Sequence, residues 1–321
     1  MRTAMIVLSD TGQPRKKLSV PLNDMHAISE IYKLAGSQAH ILYREDLEDK
    51  STLNDYDNLF VFYAGLINFG GIQSKASLKV IRLVNDFKGP VVVFDNDVLD
   101  PVNNKKREGF ERITRTVVYA SPDGIGGAEK GTIDLDVSGE LEINQSFVIG
   151  KRLSKMNDVI TKPQYDVVYG GRNRPAMKRR LCEIAKKHSL IAYSGIIGAL
   201  KETNAKLLSS KYNFNNAQLR VVNSFGKYSL MMKEKNKNYF TSRVFEQLFS
   251  NSIVLFDEQW KTYECFWKDF NTFDGSVEDL SRRLDVEYDA GLVAEQHEFA
   301  RNFDYDAYIE NEAKELAKVI S

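Results

Sequence analysis

The segment YDVVYGGRNRPAMKRR, residues 165 to 180, places two glycines and then five cations directly behind a short apolar run. Gly170 and Gly171 allow a backbone to come close to a ligand, and a helix starting at Pro175 offers free N–H groups and the positive end of its dipole. Arg172 and Arg174 precede that helix and Lys178 lies one turn inside it, so Arg174 and Lys178 can face the same point. The anion that suits such a turn is a phosphate. Arg179 and Arg180 read instead as a solvated helix face.

A second pair, Arg243 and Glu246 in FTSRVFEQLFS, is one helical turn apart near a helix start. The arginine fork could clamp a diphosphate, and the glutamate could accept hydrogen bonds from the two hydroxyls of a ribose. An ordinary ion pair one turn apart explains the spacing equally well. In VVVFDNDVLDP, Asp95 and Asp97 leave the end of the most apolar run in the chain, where a carboxylate can act as general base toward a hydroxyl. Strand-end aspartates also cap loops, and no histidine accompanies this pair to make a metal site. GLINFGG carries Asn68 and Phe69 on a glycine-rich turn, the form of an apolar wedge that enters a base stack. Lys105, Lys106, Arg107, Arg112 and Arg115 could meet a phosphate backbone or form a solvated face.

These groups are carried by elements that repeat one pattern. TAMIVLS reads as a buried strand, and DMHAISEIYKLAG as a helix stopped by Gly36. AHILYRE, NLFVFYAG, PVVVFDND and RTVVYAS are short and continuously apolar, as strands of a parallel sheet covered on both faces are, and SLKVIRLVNDFKG reads as a helix between them. The glycine- and acid-rich block from 120 to 150 reads as loops and short β segments. A second series follows: DVVYGG, a helix over RPAMKRRLCEIAKKHS, LIAYSG, a mixed polar stretch, KYSLMMK, a helix over SRVFEQLFSN, and SIVLFDE. Two doubly wound α/β domains are expected, with a boundary between 150 and 163 and a ligand cleft between the domains. The tail from Ala290 to Ser321 is helical in composition.

At 321 residues with 43% hydrophobic and 27% charged residues, the chain is an ordinary globular one long enough for two cores. Lys+Arg and Asp+Glu both total 44, so any polyanion site must come from local clustering. Cys182 and Cys265, without ligand spacing, read as reduced thiols. No signal peptide or membrane-length apolar stretch is present, which fits a cytoplasmic protein.

VPLNDMHAISEIYKLAG, NDYDNLFVFYAGLINFGG, YDVVYGGRNR and FTSRVFEQLFSNSIVLFDE, in this order over residues 20 to 260, resemble the T-even phage DNA β-glucosyltransferase family. The resemblance implies a GT-B fold: residues 1–160 as an acceptor and DNA-binding domain, 161–300 as a UDP-sugar-binding domain, and 301–321 as a helix packing back across the first. It implies an inverting glycosyltransferase that moves a sugar from a UDP-sugar onto 5-hydroxymethylcytosine in phage duplex DNA, with the target base flipped out and the product protected from nucleases. Residue by residue it implies Arg174, Lys178 and Arg243 on the diphosphate, Glu246 on the ribose, a backbone contact to uracil near Phe214, and Asp24 near the donor sugar. Lys178 stands where the family has arginine, and Asp24 where it has glutamate. The general base falls on Asp97, or on Asp95 in a shifted register. Asn68 and Phe69 fall in a DNA-probing loop one residue shorter than the family's. The differences leave room for a pentose donor such as UDP-arabinose; Mg2+ or Mn2+ could assist, and a monomer in the host cytoplasm is expected. The alternatives are a GT-B enzyme with a non-DNA acceptor and a catalytically silent DNA-binding protein.

Overall fold

A computed structural model describes residues 1–6, 20–43, 45–47, 50–62, 75–95, 112–122, 136–170, 175–193, 205–208, 215–232 and 239–321. The chain divides into two compact units, Met1–Val148 with Tyr305–Ser321, and Ile149–Asp304.

The first unit is a six-stranded sheet built from the apolar runs: β1 (Arg2–Ile6), β2 (Gln38–Leu42), β3 (Asn58–Phe62), β4 (Val91–Phe94), β5 (Val117–Ser121) and β6 (Val137–Glu142). Their order is β2-β1-β3-β4-β5-β6, and every pair is parallel. β3, β4 and β5 are buried at every residue, because helices cover both faces of a parallel sheet and neither face can be polar. Its helices are α1 (Val20–Leu34) and α2 (Lys75–Asp86), and α3 (Ser146–Ser154) starts in the first unit and runs into the second. Gly36 ends α1 with φ +83°, a left-handed conformation that glycine adopts without steric cost. α3 corrects the reading of residues 120–150 as loops and β segments only. Phe147, Val148, Ile149 and Leu153 are all buried, so its start carries no alternation of apolar and polar residues for a helical period to register.

The second unit repeats the design with β7 (Tyr165–Gly170), α4 (Pro175–Lys187), β8 (Leu190–Tyr193), β9 (Ala205–Leu208), α5 (Asn216–Asn223), β10 (Gly226–Met231), α6 (Ser242–Leu248), β11 (Ile253–Asp257), β12 (Thr272–Phe273), α7 (Val277–Leu284) and α8 (Ala290–Arg301). The sheet order is β12-β11-β10-β7-β8-β9, again all parallel. β9 and α5 lie in what the sequence presents as a mixed polar stretch. One core packs Val167, Tyr169, Leu181, Leu190, Leu230 and Leu255 under α4 and α7; another packs Val168, Ile191, Tyr193 and Val222 under α5. Among the described residues no helix is long and apolar enough to cross a membrane.

The chain ends in α9 (Tyr305–Ile320), which belongs to the first unit and packs on α1 and β6. Tyr308 stacks on Phe147 with ring centroids 4.3 Å apart. Glu312, 6% exposed, accepts the Asn144 backbone N–H at 3.0 Å. Burial pushes its carboxyl up to about 9, the Asn144 bond opposes the shift, and the Glu142 charge adds to it. The folded value lies above the ordinary 4.5, so the acid stabilises fully below that pH and its contribution is lost as pH rises through the folded value. Glu312→Gln should therefore flatten the fall in melting temperature between about pH 5 and 9, by roughly 2–4 °C for each kcal/mol recovered. A scanning-fluorimetry pH series checks this, and an unchanged slope in the variant would remove Glu312 as its source.

Candidate functional site

Open parallel sheets bind ligands beyond the carboxyl ends of their strands, where the strand order reverses. In the second unit the reversal lies between β7 and β10. Gly170 ends β7, and the segment that opens α4 follows it. Gly171, Arg172 and Arg174 lie outside the described residues, as does Phe214, and Lys178 is placed in α4 without a described side chain. Gly170 pairs in register with Tyr193 at the end of β8. A Cβ on Gly170 would fall 2.1 Å from the Tyr193 ring carbon Cζ and from its hydroxyl. The side of Gly170 that a side chain would occupy is therefore filled by the Tyr193 ring. Gly170→Ala should overpack the β7–β8 edge and destabilise the protein by about 1–3 kcal/mol, measurable in chemical denaturation; a wild-type midpoint would show that the Tyr193 ring can move away.

Arg243 and Glu246 come together with partners that the sequence does not announce. α6 is anchored by its apolar residues, with Val244, Phe245 and Leu248 buried. Phe245 stacks on Phe240, centroids 6.3 Å apart, and meets Phe266 edge-on at 6.0 Å. The Thr241 backbone N–H that precedes the helix donates to the Tyr263 hydroxyl at 3.2 Å. This packing leaves Arg243 half-buried and turns Glu246 inward, at 3% exposure. One Glu246 oxygen accepts the Asn216 side-chain amide at 2.5 Å. Burial pushes the Glu246 carboxyl up to about 7; the Asn216 bond, the Arg243 charge and a Ser242 hydrogen bond pull it back. Near neutral pH it is divided between acid and carboxylate. The Tyr193 hydroxyl donates to the Asn223 side-chain oxygen at 3.1 Å, and burial and the Glu246 charge keep it un-ionised. A guanidinium beside a buried carboxylate that is readily switched to its accepting form can hold an anion together with hydroxyl donors.

Asn216 was open to sequence reading through its neighbour. Asn215 caps α5 in a capping box with Gln218, and the NNAQ spacing carries that signature. Arg180 departs from the reading as a solvated face: its guanidinium lies 3.8 Å from the fully buried carboxylate of Asp257 at the end of β11. Arg179 is exposed.

In the first unit the reversal lies between β1 and β3. Asp24 is in the second turn of α1 and buried, at 4% exposure. Asp95 extends β4, its N–H donating to the Ala120 carbonyl at 2.9 Å. Its carboxylate is wholly buried and lies 3.5 Å from the Tyr119 hydroxyl. Asp97, Asn68, Phe69, Lys105, Lys106 and Arg107 lie outside the described residues. Arg112 and Arg115 precede β5 and so sit at the amino edge of the sheet, opposite Asp95. The Arg112 carbonyl accepts from Asn85 at 3.0 Å. The Arg115 guanidinium donates to the carbonyls of Phe87 and Gly89, which makes it a staple for the α2–β4 turn. No group of three or more His, Cys, Asp or Glu able to hold a metal ion occurs among the described residues.

Two parallel doubly wound sheets, one in the Rossmann strand order and one in the flavodoxin-like order, give the chain the GT-B class of α/β fold. The chain is 23% identical to the DNA β-glucosyltransferase of Enterobacteria phage T4 over 243 residues, 67% of this chain and 68% of that one. The crystal structure of the T4 phage enzyme with its UDP-glucose substrate superposes over the whole of both chains with a TM-score of 0.72 and 16% identity. The T4 enzyme in complex with UDP and Mn2+ does so with a TM-score of 0.66 and 16% identity. No protein-family profile matches the chain. The resemblance of the sequence to the T-even phage family thus extends to the fold along its full length.

Proposed function

We propose that this protein is an inverting glycosyltransferase that moves a sugar from a UDP-sugar to 5-hydroxymethylcytosine in duplex DNA. The reading rests on Glu246, a buried carboxyl at the carboxyl edge of a Rossmann-ordered sheet with Arg243 one turn away, in a chain similar to the T4 DNA β-glucosyltransferase. In the proposed reaction Glu246 accepts the ribose hydroxyls and backbone near Phe214 meets the uracil. Arg174, Lys178 and Arg243, with Arg172 and the Gly171 backbone, neutralise the diphosphate. Gly170 serves by seating Tyr193. Asp24 orients the sugar.

Asp97 takes the proton from the hydroxymethyl oxygen as that oxygen bonds to the anomeric carbon. The bond from that carbon to the diphosphate breaks on the opposite face, and UDP leaves with the electron pair. Asp97 is preferred to Asp95 because the Asp95 carboxylate is wholly buried against Tyr119. The target base must leave the stack for its hydroxyl to reach the donor; Asn68 and Phe69 are assigned to the gap it leaves, and Lys105, Lys106 and Arg107 to the DNA backbone. Mg2+ or Mn2+ would accompany the UDP, as Mn2+ does in the T4 complex. UDP-glucose is the first donor and a UDP-pentose the second, because Asp24 and Lys178 are where the sequence departs from the family. The modification would shield DNA from nucleases.

The test is nucleoside mass spectrometry on 5-hydroxymethylcytosine DNA and unmodified DNA, each incubated with the protein, Mg2+ and one UDP-hexose or UDP-pentose. A hexose or pentose increment on the hydroxymethylated base alone is expected. UDP binding without any product on DNA would move the acceptor to another class of molecule.

A further inference from the structure

We propose that Asn216 is a positioning residue of the nucleotide site, holding one oxygen of Glu246 so that the other is presented to a ribose hydroxyl. The proposal rests on the UDP-sugar reading above and adds to it a residue and a proton linkage.

Asn216 is the first residue of α5. Its backbone is fixed from both sides: the Asn215 side chain accepts the Gln218 N–H at 2.9 Å, and the Gln218 side chain accepts the Asn215 N–H at 3.0 Å. The Asn216 amide thus projects from a rigid helix start rather than from a loop, and donates to Glu246 at 2.5 Å. An amide N–H can only donate, so the Glu246 oxygen it meets is an acceptor, and any proton on the acid is left to the other oxygen. Among the described residues, the groups that bear on Glu246 are Asn216 from α5, Ser242 and Arg243 from α6, and Tyr193 from β8. Asn216 leads those that favour the carboxylate.

The consequence is a coupling between nucleotide and proton. In the free protein the acid form is populated up to pH 7 or so, since burial holds the carboxyl at about that value. Ribose hydroxyls donate to the carboxylate, so UDP binds that form and expels the proton. Affinity should rise with pH and level off above the carboxyl's own value, and below it each pH unit should cost up to about tenfold. Without the Asn216 amide the carboxylate is harder to form, and the levelling point moves to higher pH.

The experiment is calorimetric titration of UDP and 2′,3′-dideoxyUDP into the wild type and Asn216→Ala between pH 5.5 and 9. The variant is expected to bind UDP about fivefold more weakly at pH 7 and about tenfold at lower pH, with the levelling point about one pH unit higher and the deficit shrinking by pH 9. It is expected to match the wild type toward dideoxyUDP, and its melting temperature should fall further below the wild-type value as pH rises. Equal UDP affinity at every pH, or an equal loss toward both nucleotides, overturns the assignment of Asn216. A wild type that binds no UDP at all overturns the nucleotide reading itself, and Asn216 with it.

Discussion

Asp97→Asn is expected to lower sugar transfer to hydroxymethylated DNA by about 10²- to 10⁴-fold, the range that positioned general bases supply, while UDP affinity stays at the wild-type value. The asymmetry follows from the division of work. In the proposed reaction Asp97, from the first unit, takes the proton of the acceptor hydroxyl, whereas the nucleotide is assigned to residues of the second. Asp95→Asn is the informative partner. The Asp95 carboxylate is 0% exposed beside Tyr119, so its replacement should register in the denaturation midpoint more than in turnover of the folded enzyme. Single-turnover assays with saturating UDP-sugar, run beside denaturation curves, separate the two. Wild-type turnover in Asp97→Asn together with an inactive, fully stable Asp95→Asn would transfer the base to Asp95.

Arg243→Ala is expected to weaken UDP binding by about 10- to 150-fold at pH 7, the equivalent of the roughly 1.5–3 kcal/mol of a hydrogen bond to a charged group. Two effects add. The fork proposed to meet the diphosphate is gone, and Glu246 loses one of the groups that favour its carboxylate. The loss should therefore be steeper at pH 6 than at pH 8, because the carboxyl, already raised to about 7, moves further up without the neighbouring cation. Arg243→Lys, which keeps charge without the fork, should fall between the two. Titration calorimetry at both pH values measures this, and an unchanged affinity would remove Arg243 from the nucleotide site.

The strands and the long helices were legible because burial on both faces of a parallel sheet leaves an unbroken apolar run, as in VVVF and IVLF, and because α1 ends on a glycine. β9 and α5 were not: a four-residue strand and an eight-residue helix in a polar stretch give too few periods to register. α3 was hidden for the opposite reason, since residues 147 to 150 are all buried and nothing alternates. In the site, the spacing of Arg243 and Glu246 was visible but admitted an ordinary ion pair. What sets Glu246 apart is its burial, and burial depends on Phe240, Phe245 and Phe266 packing across the chain.

The sequence by itself determined the class of fold, the positions of most apolar strands and the residue types available for an anion, because each is written in local period and composition. Only the tertiary structure decided which of those residues meet. It filled the space at Gly170 with Tyr193, paired Arg180 with a buried aspartate, set Arg112 at the sheet edge opposite Asp95, and brought Asn216 to Glu246 from 30 residues away. A side chain's charge state depends on its desolvation and on neighbours distant in sequence, and both exist only once the chain has packed.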